Sequence, residues 1–136
     1  MAARAPVPSV SDFRKLAVKP AAFAEIPDDT IAETLSDVTD YAASFVGKHS
    51  KGRIKEWDGS FRRAIIAVAC VDLMTHRGYN KGAGADVSIA DRGKAAESWL
   101  DKVAAGDVEP FYVDETSDAD DAPIGGTSEK SDAWTV

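Results

Sequence analysis

The stretch FRRAIIAVACVDLMTHRGYN, residues 61–80, contains an apolar run with no polar side to show water. Ten of the eleven residues at 64–74 are apolar, and the exception is Asp72. Such a segment must be covered by a bilayer, by its own chain or by a partner. A membrane-spanning helix needs about 20 apolar residues. This run stops at eleven, contains an aspartate and runs on to His76 and Arg77. The reading is therefore a buried helix that starts after Asp58, a good N-cap residue, and stops at Gly78. The segment MAARAPVP at the start has no apolar h-region, so no secretory signal is expected.

Amphipathic helices are expected on both sides of this run. Ser9-Val10-Ser11-Asp12 fits a capping box and opens a short helix to about Ala17. Pro20 restarts the chain, with Phe23 and Ile26 as apolar contacts. Pro27-Asp28-Asp29 places carboxylates at the positive end of a long helix. Its residues Ile31, Leu35, Val38, Tyr41, Ala42, Phe45 and Val46 form one stripe at helical spacing, and Gly47 ends it. Residues 48–57 form a loop or a short extended segment, and 79–87 a glycine-rich loop. Ser88-Ile89-Ala90-Asp91 reads as a second capping box. The helix after it carries Ile89, Arg92, Ala95, Ala96, Trp99, Leu100 and Val103 on one side and stops at Gly106. Residues 108–113, VEPFYV, suggest a short strand that Pro110 confines to an edge.

The expected fold is all-α: a small bundle of about four helices with a short edge strand and an extended acidic tail. The domain occupies 1–113 and the tail 114–136. Residues 114–132 hold seven carboxylates against Lys130 alone, a net −6 within a total of −7. The acidic balance thus belongs to the tail, and it disfavours non-specific nucleic-acid binding by the whole chain. The tail's composition is that of a segment that does not fold alone. It finishes on the apolar Ala133-Trp134-Thr135-Val136, and Trp is a frequent interface anchor. The expectation is that 114–136 runs along a neighbouring chain, with 108–113 pairing to a partner's sheet edge on the way.

Catalytic signatures are weak. Asp72 and His76 share a helix face at a spacing that can begin a metal site, but further ligands have no evident source. Gly78, Lys81, Gly82 and Gly84 match neither a phosphate-binding nor a dinucleotide-binding loop. Cys70 lies inside the apolar run, where a thiol is a poor nucleophile. His49 lies in a basic loop and is expected to be solvated. No catalytic residue, cofactor or metal is expected. The charge feature of note is residues 48–63, where Lys48, Lys51, Arg53, Lys55, Arg62 and Arg63 face Glu56 and Asp58 alone, a local +4. With Trp57 in its midst, this segment reads as a candidate interface. Phe111, Tyr112, Trp134 and Val136 are the further candidates.

Three stretches together resemble a known family: DDTIAETLSDVTDYAASFVGKH, RRAIIAVACVDLMTHRGY and AAESWLDKVAAGDVEPF. In order and character they look like the Mu-like phage head–tail adaptor family. There a helix with an aspartate and an aromatic ends before a glycine and a basic loop. A helix rich in Ile, Ala, Cys and Asp follows, and a closing helix carries a pattern close to W-L-x-x-[VI]-A-x-G-x-V. Trp99, Leu100, Val103, Ala104, Gly106 and Val108 match that pattern. The resemblance spans roughly residues 10–113. The loop at 48–57 departs from it by lacking a Pro-Leu run, and the long acidic tail is a second departure.

The resemblance implies a structural virion neck protein, assembled in the host cytoplasm. Proteins of this kind sit as a ring, usually of twelve copies, beneath the portal. Their partners are other copies of the same chain, the portal protein, and the tail terminator or the stopper that closes the head. DNA passes through the channel without sequence-specific binding, and no membrane is involved. Gene transfer agents carry similar proteins. The alternative is a small helical DNA-binding or regulatory module, which the basic segment favours. Against it, no recognition helix with a basic face is apparent.

Overall fold

The computed structural model describes residues 5–17, 19–47, 49–50, 52–77 and 84–115. Among these, four helices and one two-stranded antiparallel sheet follow in the order α1 (Val10–Leu16), a 3-10 turn (Pro20–Phe23), α2 (Asp28–Phe45), β1 (Ile54–Trp57), α3 (Gly59–Arg77), α4 (Gly84–Ala105) and β2 (Tyr112–Asp114). The protein is mostly helical, a small four-helix bundle as expected, and its short strand is one of a pair.

The short helix α1 starts where its cap predicts. The Ser9 hydroxyl oxygen accepts from the Asp12 N–H at 3.0 Å, which satisfies one of the four free amides at a helix start. Phe13 of α1 and Phe23 of the 3-10 turn are fully buried and meet edge to face at 5.3 Å. Arg14 ties this corner to α2. Its guanidinium donates to the carbonyls of Phe23 and Ile26, and pairs with Asp28 at 2.7 Å. A planar fork with several donors suits this three-way contact better than an ammonium would.

Helix α2 buries the stripe read from its periodicity: Ile31, Leu35, Val38, Ala42 and the following Val46 are all buried. Thr39 is buried too, and its hydroxyl donates to the Leu35 carbonyl at 2.7 Å. Tyr41 leaves the stripe. It is 42% exposed, and its hydroxyl donates to Glu97 of α4 at 2.6 Å. The stop at Gly47 is reached without the left-handed conformation, which among the described glycines is adopted by Gly52 and Gly106.

Helix α3 carries the opening stretch. All seven residues of 64–70 are buried, as are Leu73 and Met74. The cover comes from this chain: α4 packs along α3 most extensively, α2 next, and α1 caps one end. The covered run is therefore no evidence for a partner. Cys70 is fully buried, as expected.

Helix α4 differs from the sequence reading at its start and in its face. It begins at Gly84, so Ser88 lies inside it rather than capping it. Asp86 occupies its first turn, where the dipole favours a carboxylate. Its buried face is Ile89, Gly93, Ala96, Leu100 and Val103. Arg92 and Ala95, expected inside, are exposed. The inward position between Ile89 and Ala96 belongs to Gly93, which has no side chain to signal it. At the far end the Asp107 N–H bonds the Lys102 carbonyl and the Gly106 N–H bonds the Val103 carbonyl. With Gly106 at φ +86° this is a Schellman cap.

The strand predicted over 108–113 forms at Tyr112–Asp114, past Pro110 and one residue beyond the expected domain boundary. It pairs with β1 of the same chain rather than with a partner's edge, in the register Ile54↔Asp114, Glu56↔Val113 and Trp57↔Tyr112. A bulge falls between Ile54 and Glu56, at Lys55. A small second core of Ala43, Val46, Ile54, Phe61 and Val103 lies against the sheet. Trp57 and Trp99 border both this core and the main one.

Candidate functional site

The candidate residues that the structure describes lie around the corner where β1 turns into α3. Asp58 makes that corner. One carboxylate oxygen accepts from the Ser60 N–H at 2.9 Å and the other from the Phe111 N–H at 3.3 Å. The backbone adds bonds from the Asp58 N–H to the Phe111 carbonyl and from the Phe61 N–H to the Asp58 carbonyl. A single aspartate thus caps α3 and holds the approach to β2 against it.

Around this corner the aromatic side chains form a ladder. Trp57 stacks on Phe61 with ring centroids 4.3 Å apart and planes 14° from parallel. Phe61 in turn meets Trp99 edge to face at 5.2 Å. Trp57 is half-buried, so much of its ring already serves this fold. Phe111 is 63% exposed, while its neighbour Tyr112 is half-buried. Arg53, Lys55, Arg62 and Arg63 are all exposed. Arg53 also donates its backbone N–H to Glu115 at 2.7 Å. Lys48, Lys51, Trp134 and Val136 lie outside the described residues.

Three open clefts surround the corner. A shallow one of about 260 Å³ lies between Pro6, Pro8, Trp57 and Arg62. A second, about 410 Å³, is lined by Val46, Val103, Val108, Pro110, Phe111 and Tyr112, with His49 at its edge. The His49 ring lies 3.1 Å from the Ala104 carbonyl and is exposed, as expected. The largest, about 460 Å³, separates α1 from α3 and α4. It is lined by Lys15, Arg63, Arg92 and Trp99 over a floor that includes Ala64 and Ala67. Only Arg63 of its cations was legible as a candidate. Lys15 and Arg92 carry no sequence signal of their own, because they join Arg63 only when three helices pack.

At Asp72 partial burial and neighbouring carboxylates act in the same direction. Its carboxyl is pushed above the usual carboxylate range, first by partial burial, then by the negative charges of Glu97 and Asp37. Nearby, Tyr41 is pushed up to about 12, mainly because its hydroxyl is engaged by Glu97. Tyr112 is also raised, by burial and by Asp114. Among the described residues, no three His, Cys, Asp or Glu side chains gather as a metal site. The His76 side chain, Gly78, Lys81 and Gly82 lie outside the described residues. No described helix is long and apolar enough to cross a membrane.

This end of the molecule therefore offers apolar clefts, one prominent exposed aromatic and several exposed cations on rigid elements. Aromatic and arginine side chains are the types that carry most of the energy where protein chains meet. Comparison with protein-family models, with curated proteins and with solved structures finds no match to this chain.

Proposed function

We propose that this chain is a structural virion neck protein, a head–tail adaptor that forms a ring beneath the portal and joins the capsid to the tail. The observation that carries the reading is the closing pattern Trp99, Leu100, Val103, Ala104, Gly106 and Val108, the most closely matched part of the resemblance. In the fold these residues work as one unit: Leu100 and Val103 are buried, Trp99 borders both cores, and Gly106 makes the cap that turns the chain toward Val108. Such a unit presents the Asp58 corner, with Phe111, Arg62 and Arg63, as a rigid surface for a neighbouring copy or the portal. DNA passes through the ring without being read, and the chain has no catalytic task.

The test is mass and shape with and without the portal protein of the same particle. The expected outcome is a small species alone and a ring seated on the portal in electron micrographs. A chain that ignores the portal and is instead retained on DNA, with strong salt dependence, overturns the reading. That result would favour a small helical DNA-binding module, for which the exposed Arg53, Lys55, Arg62 and Arg63 are the supporting observation.

A further inference from the structure

The cleft between α1, α3 and α4 is unusual for its charge. Lys15, Arg63 and Arg92 line it, no carboxylate does, and its volume is about 460 Å³. Among the described residues none of the three cations has a carboxylate within salt-bridge distance. The whole chain nevertheless carries −7. The floor is apolar and cut from small side chains. Ala64, Ala67, Ala95 and Ala96 leave the depth, Trp99 closes one side, and Leu16 stands 43% exposed at the edge. An apolar trough with a cationic rim fits an extended segment that pairs a large apolar side chain with flanking carboxylates.

One segment of this chain has that chemistry. Residues 129–136, EKSDAWTV, set Trp134 between small residues, with Asp132 and Glu129 before it and Lys130 between them, a net −1. The acidic residues at 114–121 precede them. The reach is sufficient. Glu115 lies at the Arg53 end of the sheet, and β1 leads directly to Ser60 and Arg63 at the cleft. The four residues of β1 span roughly 13 Å, whereas the tether from Glu115 to Trp134 reaches on the order of 24 Å as a coil.

We propose that the cleft between α1, α3 and α4 is the docking site for the chain's own segment 129–136, bound in cis through Trp134 and its neighbouring carboxylates. A connection of fewer than 20 residues raises the local concentration to about the millimolar range, so a contact of modest strength closes within one chain before it forms between two. The inference stands apart from the adaptor reading. It concerns the isolated chain, where it keeps an apolar anchor covered until a partner competes for it.

The test uses the full chain with a nitroxide label on Ala133→Cys. Cys70 is buried, so labelling is directed to the new thiol. The expected result is selective broadening of the amides of Ala64, Ala67 and Ala96 and of the Trp99 indole, relieved by about 0.5 M salt, where the Debye length is short. The broadening is also expected to vanish in the R63E/R92E chain while signals from Ile31 and Leu35 stay in place. Three outcomes overturn the proposal. One is no broadening at the cleft beyond that on the outer face of α2. Another is broadening that persists in the charge-reversed chain. The third is equal broadening in an isotope-labelled chain mixed with spin-labelled, isotope-free chain, which would assign the contact to a second copy.

Discussion

Gly93 of α4 lies directly against Val71 of α3, so closely that a methyl group built on Gly93 would overlap the Val71 side chain. The glycine sits in the middle of a 22-residue helix, where it weakens the helix by about 1 kcal/mol relative to alanine. Close approach of the two longest helices is what the glycine makes possible.

Gly93→Ala is therefore expected to destabilise despite the better helix former. Overpacking costs about 1–3 kcal/mol, which exceeds the propensity gain. Urea denaturation of the single variant and of Gly93→Ala with Val71→Ala checks this. The double variant should recover most of the loss, because Val71 is the side chain in the way.

Asp58 joins α3 to the approach of β2, across 53 residues of sequence. Asp58→Ala is expected to cost about 1–2 kcal/mol through the lost cap and the lost Phe111 bond. Hydrogen exchange at the Ser60 and Phe111 amides should speed up together. Exchange confined to one of them would show that the two contacts are independent.

Leu100 is fully buried, whereas Trp99 is half-buried at the seam of the two cores. Leu100→Ala should cost about 3 kcal/mol, within the usual range for a closed core site. Trp99→Ala should cost no more than that, because part of the indole already meets solvent. An unchanged melting temperature for Trp99→Ala would mean that its ring faces solvent or a partner rather than supporting the fold.

The raised carboxyl of Asp72 sets a pH dependence. A carboxyl whose pKa rises on folding favours the protonated form, so its charge opposes folding once pH climbs above its unfolded value of 3.8. Asp72→Asn should raise the melting temperature at pH 7 by removing a charge that partial burial, and then repulsion from Glu97 and Asp37, disfavour, an effect of about 0.5 kcal/mol or less for so exposed a group. The gain should vanish in strong acid, where the Asp72 carboxyl is protonated. Tyr41 acts at the other extreme. Its hydroxyl is held up to about 12 by the bond to Glu97, so its contribution is complete below pH 10 and lost as pH rises toward 12. In an alkaline titration Tyr41 should ionise late, and Tyr41→Phe should remove that step.

Reversing Lys55 and Arg62 together to Glu should leave the melting curve of the free chain nearly unchanged, since both side chains are exposed. Ring formation on the portal should weaken. Assembly that is indifferent to the reversal at low and high salt alike would show that these side chains are merely solvated.

Helix content, most helix ends and the identity of the core were legible because their causes are local. Ser9 caps its own next residues, Gly106 turns the chain where it stands, and the spacing of Ile31, Leu35 and Val38 needs only the helical repeat. Most of the run at 64–74 had to be buried whatever surrounded it, because apolar surface has no other stable place; Asp72 is the residue of it that stays exposed. Tertiary structure alone decided what covers that run, and it turned out to be this chain's own α2 and α4. It also decided that the inward face of α4 passes through Gly93, a residue with no hydrophobic signal. The pairing of β1 with β2, the double duty of Asp58 and the meeting of Lys15, Arg63 and Arg92 around one cleft belong to the same class. Each joins residues far apart in sequence, and the energy that selects them comes from packing whole elements together, which no single segment contains.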